Sequence, residues 1–214
     1  MTVAAPVSPR PVLTFEEEPH IYRIDGRIVP SVTQILKAVW PEIWPWASEF
    51  AMERGRKVHQ AAHLWILGDL DSKRLSPYIA GFVAGAIRFL QETGFEFAQI
   101  DGSPASECRM YSSIYDYAGT ADWIGTYQRK SAVIDLKTGE PGWACGPQTW
   151  AYSQQWQEMT GEVVRQRFGL HLYDDGTYQL VPYKDHRNDQ ADFLAALRVE
   201  QRRVTLAPKE RNAA

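Results

Sequence analysis

The sequence predicts a mixed α/β domain of the α+β kind. Three observations carry this. Helical apolar spacing recurs in five stretches between Ser31 and Arg203. The segment 95–137 alternates instead, as four successive strands. Two hairpin signals, at Asp25-Gly26 and Asp174-Asp175-Gly176, each join a pair of alternating runs.

His20 to Val29 alternates around Asp25-Gly26, and Pro30 ends its second strand. Ser31 is a candidate N-cap for a helix to Val39, with Val32, Ile35 and Leu36 inward. Pro41 and Pro45 forbid a regular helix through 40–46. Trp40, Trp44 and Trp46 in that stretch read as loop aromatics plugging onto the core, with stacking on unpaired bases as the alternative. Glu49 to Leu67 reads as a helix bearing His59 and His63 on one face. A His-x-x-x-His pair can bind zinc, but no glutamate follows the first histidine as in a metalloprotease. Ser76-Pro77 starts a helix to Thr93, stopped by Gly94.

The strands expected next are 95–100, 106–112, 117–127 and 131–137, as an antiparallel meander. A helix over 147–160, strands over 165–173 and 178–182, and a helix over 188–203 complete the chain. With 214 residues and no linker or repeat, a single domain over 1–214 is expected, with 1–14 a loose leader and 205–214 a frayed tail.

Composition sets bounds on function. Apolar residues make up 44% and charged residues 23%, ordinary globular values. No apolar run is long enough for a membrane span. The start of the chain has no basic stretch followed by an apolar core, so no signal peptide is expected. An intracellular, cytoplasmic protein follows as the expectation, with Cys108 and Cys145 reduced. Two cysteines cannot supply a four-thiolate zinc or iron–sulfur site. A net charge of −3 means that a nucleic-acid partner must be held by local basic patches or a bound cation. Arg165, Arg167, Arg198, Arg202 and Arg203 are candidates for such a path, and solvated surface is the simpler reading of each.

Val133 to Gly139 holds the chemistry. Asp135 and Lys137 share a face of an apolar strand, where burying charge is costly. Either the two charges pair with other residues and stabilise the sheet, or they serve a metal and a phosphate. A hairpin about Gln128-Arg129 sets pair positions that sum to 257, placing Asp122 opposite Asp135. Opposed carboxylates repel, and a hard divalent cation between them turns that into attraction. The odd sum puts Asp122, Asp135 and Lys137 on one face, an arrangement suited to metal-assisted phosphodiester hydrolysis.

Gly119-Thr120-Ala121-Asp122 and Val133-Ile134-Asp135-Leu136-Lys137-Thr138-Gly139 resemble the two core motifs of the PD-(D/E)XK nuclease superfamily. Gln148 to Tyr152 resembles the Gln-x-x-x-Tyr motif of its RecB-like branch, and Arg54-Gly55-Arg56-Lys57-Val58-His59 its upstream histidine motif. The segment 26–33 is similar to the entry of phage-type and mitochondrial-exonuclease-like members. The family's usual proline before the first aspartate is replaced by Ala121.

The resemblance implies a restriction-endonuclease-like core, a central mixed sheet flanked by helices. It implies a magnesium- or manganese-dependent DNA nuclease, an exonuclease of recombination, repair or phage DNA processing, with a recombination partner protein as a further candidate. A phage-encoded member would work in the host cytoplasm. His59, Asp122, Asp135 and the Leu136 carbonyl are the implied metal ligands, and Lys137 the implied catalytic lysine beside the two aspartates. Gln148 and Tyr152 are implied to orient the DNA strand or a water. Glu107 matches a glutamate one strand earlier and is a candidate support residue. His63 lies outside the pattern and reads as structural. The alternatives are a non-cutting binding module of the same fold and an unrelated zinc hydrolase using His59 and His63.

Overall fold

The computed structural model describes residues 11–40, 49–140 and 142–211. Trp44 and Trp46, and most of the expected leader, lie outside the described residues. Strands β1 (Leu13–Glu16), β2 (Ile21–Ile24) and β3 (Arg27–Val29) form a small antiparallel sheet. The leader therefore ends before Leu13, because Leu13 and Thr14 pair with Ile24 and Arg23. Asp25 and Gly26 both take positive φ, as the tight hairpin turn requires. Helix α1 (Val32–Val39) starts on a capping box in which Ser31 and Gln34 satisfy each other's backbone amides.

Helices α2 (Glu49–Leu67) and α3 (Pro77–Thr93) keep the expected bounds, and Gly94 closes α3 in the left-handed region. The main sheet then forms from β4 (Glu96–Phe97), β7 (Ser106–Ser112), β8 (Tyr117–Tyr127), β9 (Lys130–Lys137), β10 (Gln166–Leu172) and β11 (Tyr178–Pro182). Its order is β11-β10-β9-β8-β4, with β7 also on β8.

The expected meander is modified at its first strand. β4 and β7 border the same edge of β8, one after the other. Between them the chain leaves as a short hairpin, β5 (Gln99–Ile100) and β6 (Ser103–Pro104). A bond of 2.7 Å from Ala105 N to Ala98 O closes the neck of that excursion. One strand interrupted by a hairpin thus replaces the continuous strand 95–100.

β9 and β10 run parallel, which requires a crossover, and α4 (Cys145–Thr160) supplies it. The other pairings in this sheet are antiparallel, so the sheet is mixed. The last helix, α5, runs from His186 to Arg211. It begins before the expected Asn188 and continues through most of the segment expected to fray.

Two cores lie on the two faces of the sheet. Val58 and Ala62 of α2 and Phe82 and Phe89 of α3 pack with Trp123, Ile134, Leu136 and Leu170. Leu36 of α1, Tyr152 and Trp156 of α4 and Phe193 of α5 pack with Ala121, Ile124 and Val133. The fold is therefore a mixed central sheet flanked by helices, as the sequence predicts. Among the described residues, no helix is long and apolar enough to cross a membrane.

Candidate active site

The β8–β9 ladder runs from Tyr127↔Lys130 to Trp123↔Ile134, each pair summing to the expected 257. Gln128 and Arg129 both take positive φ, so the turn has the backbone twist of a glycine-rich hairpin without the glycine. The ladder ends at Asp122. On the other side of β8, Ser106 pairs with Trp123 and Cys108 with Ala121, leaving Glu107 and Asp122 unpaired between them. Asp122 is thus the position in β8 with no ladder partner on either edge.

This gap corrects the alternation argument. Ala121 and Ile124 are three residues apart yet lie in the same core, while Trp123 lies in the other. The period of two slips at Asp122, so parity alone does not orient its side chain, although its charge acts on Asp135, Lys137 and Tyr152. Its carboxylate instead enters the opening between the strands. Asp122 Oδ2 accepts a 2.6 Å bond from the Leu136 amide, and Oδ1 lies 3.1 Å from His59 Nδ1.

Helix α2 brings His59 here through the residues of its motif. Arg54 donates a 2.6 Å bond to the Thr138 carbonyl at the end of β9, and its guanidinium lies over the Phe82 ring. Gly55 sits so close that a Cβ there would be 3.7 Å from Thr138 Oγ1. One turn later His59 Nε2 donates to the Leu136 carbonyl at 3.1 Å. Nδ1 is left facing Asp122 and, at 3.6 Å, Glu107 Oε1. Burial works against the imidazolium, but the two carboxylates outweigh it and hold His59 well above its ordinary value.

His59, Glu107 and Asp122 each offer one ligand atom, all within 4.8 Å of one another, and this group could hold a metal ion. An imidazole nitrogen with two carboxylate oxygens is a reasonable donor set for a divalent cation. The group differs from the implied ligand set in three places, the Leu136 carbonyl being the third. Glu107, a candidate support residue, is a donor, and Asp135 is not in the group. Glu107 reaches it from a left-handed backbone, φ 52°, which costs a non-glycine residue about 1–2 kcal/mol. The Leu136 carbonyl accepts from His59 Nε2, the usual way a ligating histidine is oriented through its other nitrogen.

Asp135, 2% exposed, forms an ion pair with Lys137. Burial raises the Asp135 carboxyl, with the Lys137 ammonium pulling the other way. Lys137 itself is raised despite its burial, because Asp135 above all favours its charged form, with smaller contributions from Cys145 and Asp122. The amine also donates to Gln148 Oε1 at 3.1 Å, and Gln148 Nε2 donates to Tyr152 Oη at 3.1 Å. Gln148 and Tyr152 are both buried, so their hydrogen bonds point at Lys137.

Gly119 makes room for this arrangement. A Cβ there would lie 2.9 Å from both the Tyr152 ring and Val32 Cγ2. Cys145 also approaches, its thiol 3.9 Å from Asp135 Oδ2 and pushed up to about 11 by burial. No sequence signal marks that neighbour, because the expected helix begins at Pro147.

A cavity of about 410 Å³ opens beside Lys137, lined also by Arg54, Thr138, Glu140, Cys145 and Gln148. That volume lies within the range of small-ligand pockets, about 300–1,000 Å³. The Lys137 side chain is 25% exposed and lines this cavity. His63 stands apart, hydrogen-bonded to Ser106 Oγ at 3.0 Å. Arg167, a candidate for a DNA path, is buried and tied to Asp189 and the Gly146 carbonyl.

No family model matches the chain, and no curated protein matches it. Among solved structures it is similar to a provisionally named exonuclease of Eubacterium rectale, at 14% identity and a TM-score of 0.48. That likeness covers 74% of this chain and 67% of the other.

Proposed function

We propose that this chain is a divalent-metal-dependent deoxyribonuclease. One observation carries the reading. The His59–Glu107–Asp122 donor group and the Lys137 ammonium both act on Asp135, where the β8–β9 ladder opens. The motif resemblance supplies the substrate class and favours magnesium or manganese and exonucleolytic action. A place in recombination, repair or phage DNA processing, with or without a partner protein, rests on the same resemblance.

In this reading His59 Nδ1, Glu107 and Asp122 hold the cation, and His59 Nε2 keeps the ring oriented through the Leu136 carbonyl. A bound divalent cation supplies Lewis acidity toward a phosphate oxygen and lowers the pKa of a water. The chain's own groups do the rest. Asp135 and Gln148 hold Lys137 Nζ in one place. As an ammonium, Lys137 stabilises negative charge gathering on the phosphate oxygens and can give its proton to the leaving oxygen. Tyr152 fixes Gln148, so a lost hydroxyl there loosens the lysine without removing it.

The test is digestion of end-labelled DNA, single- and double-stranded, with free and blocked ends, in magnesium, manganese or EDTA. Metal-dependent cleavage is expected, falling at least about 100- to 1,000-fold in Asp122→Ala and Lys137→Ala. Tight binding with no cleavage in any divalent metal would replace the enzyme by a nucleic-acid-binding module of the same fold. Activity lost in His63→Ala and kept in His59→Ala would contradict this assignment of the site.

A further inference from the structure

The connector from β9 to α4 displays Trp143, which is 53% exposed. It is the one exposed tryptophan among the described residues. Large aromatic rings normally bury their area, so a displayed one calls for a reason. A loose loop is not the reason, because side chains from three elements or their flanks pin this connector by its carbonyls. Arg54 holds Thr138 O at 2.6 Å, His171 Nδ1 holds Gly139 O at 2.7 Å, and Tyr183 Oη holds Gly142 O at 3.0 Å. The Trp143 carbonyl accepts from the Gly146 amide at 3.1 Å. Trp40 meets the indole edge to face, with ring centres 4.8 Å apart. The ring is backed by Trp40 and left open to solvent.

Its position continues the site. Gly142 and Ala144, on either side of Trp143, line the same cavity as Lys137 and Gln148. The chain carries a net charge of −3, so long-range Coulombic attraction contributes little to holding a polyanion. Base–aromatic stacking needs no net charge and tolerates any sequence.

We propose that Trp143 is a stacking platform for an unpaired DNA base next to the scissile phosphate, so that the strand reaches Lys137 single-stranded. This rests on the nuclease reading above. A paired base has both faces covered by its neighbours and cannot occupy the platform without unstacking. Single strands and frayed ends are therefore the preferred substrates, and internal duplex is the poorest.

The experiment is a binding cycle by fluorescence anisotropy, in calcium, with a dye-labelled oligo-dT and the same strand carrying abasic sites. Trp143→Ala should weaken oligo-dT binding roughly ten- to a hundred-fold, and Trp143→Phe should stay within about three-fold of the parent. The abasic strand should bind the parent as weakly as oligo-dT binds Trp143→Ala, with no further loss when the two are combined. The loss should be the same at low and high salt, unlike loss of a phosphate contact. Cleavage by the parent in magnesium with no cost from Trp143→Ala or from abasic sites overturns the platform and leaves the nuclease standing. A parent that neither binds nor cuts DNA overturns both. A dimer of the parent that dissociates in Trp143→Ala also overturns the platform, assigning the ring to a second copy.

Discussion

Two buried ion pairs lie on neighbouring strands, and they differ in what surrounds the cation. Arg167 of β10 has a side chain with no exposure, and its guanidinium is spent on Asp189 at 2.7 Å and the Gly146 carbonyl at 2.9 Å. It joins β10 to α5 and to the first turn of α4. Lys137 of β9 is paired with Asp135 yet remains 25% exposed, facing a cavity. Both cations meet the burial problem that the sequence poses. One meets it with two partners, only Nε being left without a hydrogen bond, and becomes structural. The other solves it in part and keeps a charge available. Pairing alone does not separate the two; the cavity beside Lys137 does.

The comparison can be broken most sharply at the β9 pair. Converting both members, in Asp135→Asn with Lys137→Met, should abolish metal-dependent cleavage while the melting temperature holds or rises. Replacing a buried ion pair by well-packed neutral groups is often neutral or stabilising by about 1–4 kcal/mol. A melting temperature lowered as much as in an Arg167 variant would show that the β9 pair is structural too.

The β10 pair should behave in the opposite way. Arg167→Ala leaves Asp189 without its partner and the Gly146 carbonyl without a donor, and breaking a buried pair costs about 3–5 kcal/mol. Because Asp189 retains 13% exposure, about 3 kcal/mol is expected by urea unfolding. Cleavage per folded molecule should change little.

A smaller effect is expected at the packing that supports Lys137. Gly119→Ala drives a methyl against Tyr152 and Val32, an overpacking worth about 1–3 kcal/mol. Cleavage should drop with it, because Tyr152 steadies Gln148 and Gln148 steadies the amine. Unchanged stability and activity together would mean that the neighbours yield and that Gly119 has no part in the site.

Much of this site was legible before the structure, and the limits have physical causes. The β8–β9 register follows from placing the turn at Gln128-Arg129, and Trp123 to Tyr127 keeps it pair by pair. The helix bounds of α2 and α3 follow from apolar spacing and the Gly68 and Gly94 stops, both at positive φ. Asp122 broke the pattern because alternation assumes an unbroken ladder, and the ladder ends there. Glu107 was recognised but undervalued, since a left-handed glutamate leaves no signature in sequence and turns its carboxylate toward His59. The start of α4 at Cys145 was missed because Gly146-Pro147 reads as a helix boundary. Arg167 was counted as surface because nothing local predicts its partner, Asp189, on another element.

The central claim is that Glu107, His59 and Asp122 together hold one divalent cation, with Asp135 devoted to the lysine. Calorimetric titration of manganese into the parent chain and into Glu107→Gln, Asp122→Asn and His63→Ala tests it most directly. The account predicts one site in the parent, a clear loss in Asp122→Asn and Glu107→Gln, and no change in His63→Ala. A parent that takes up no cation, or a Glu107→Gln chain that binds as tightly as the parent, contradicts it.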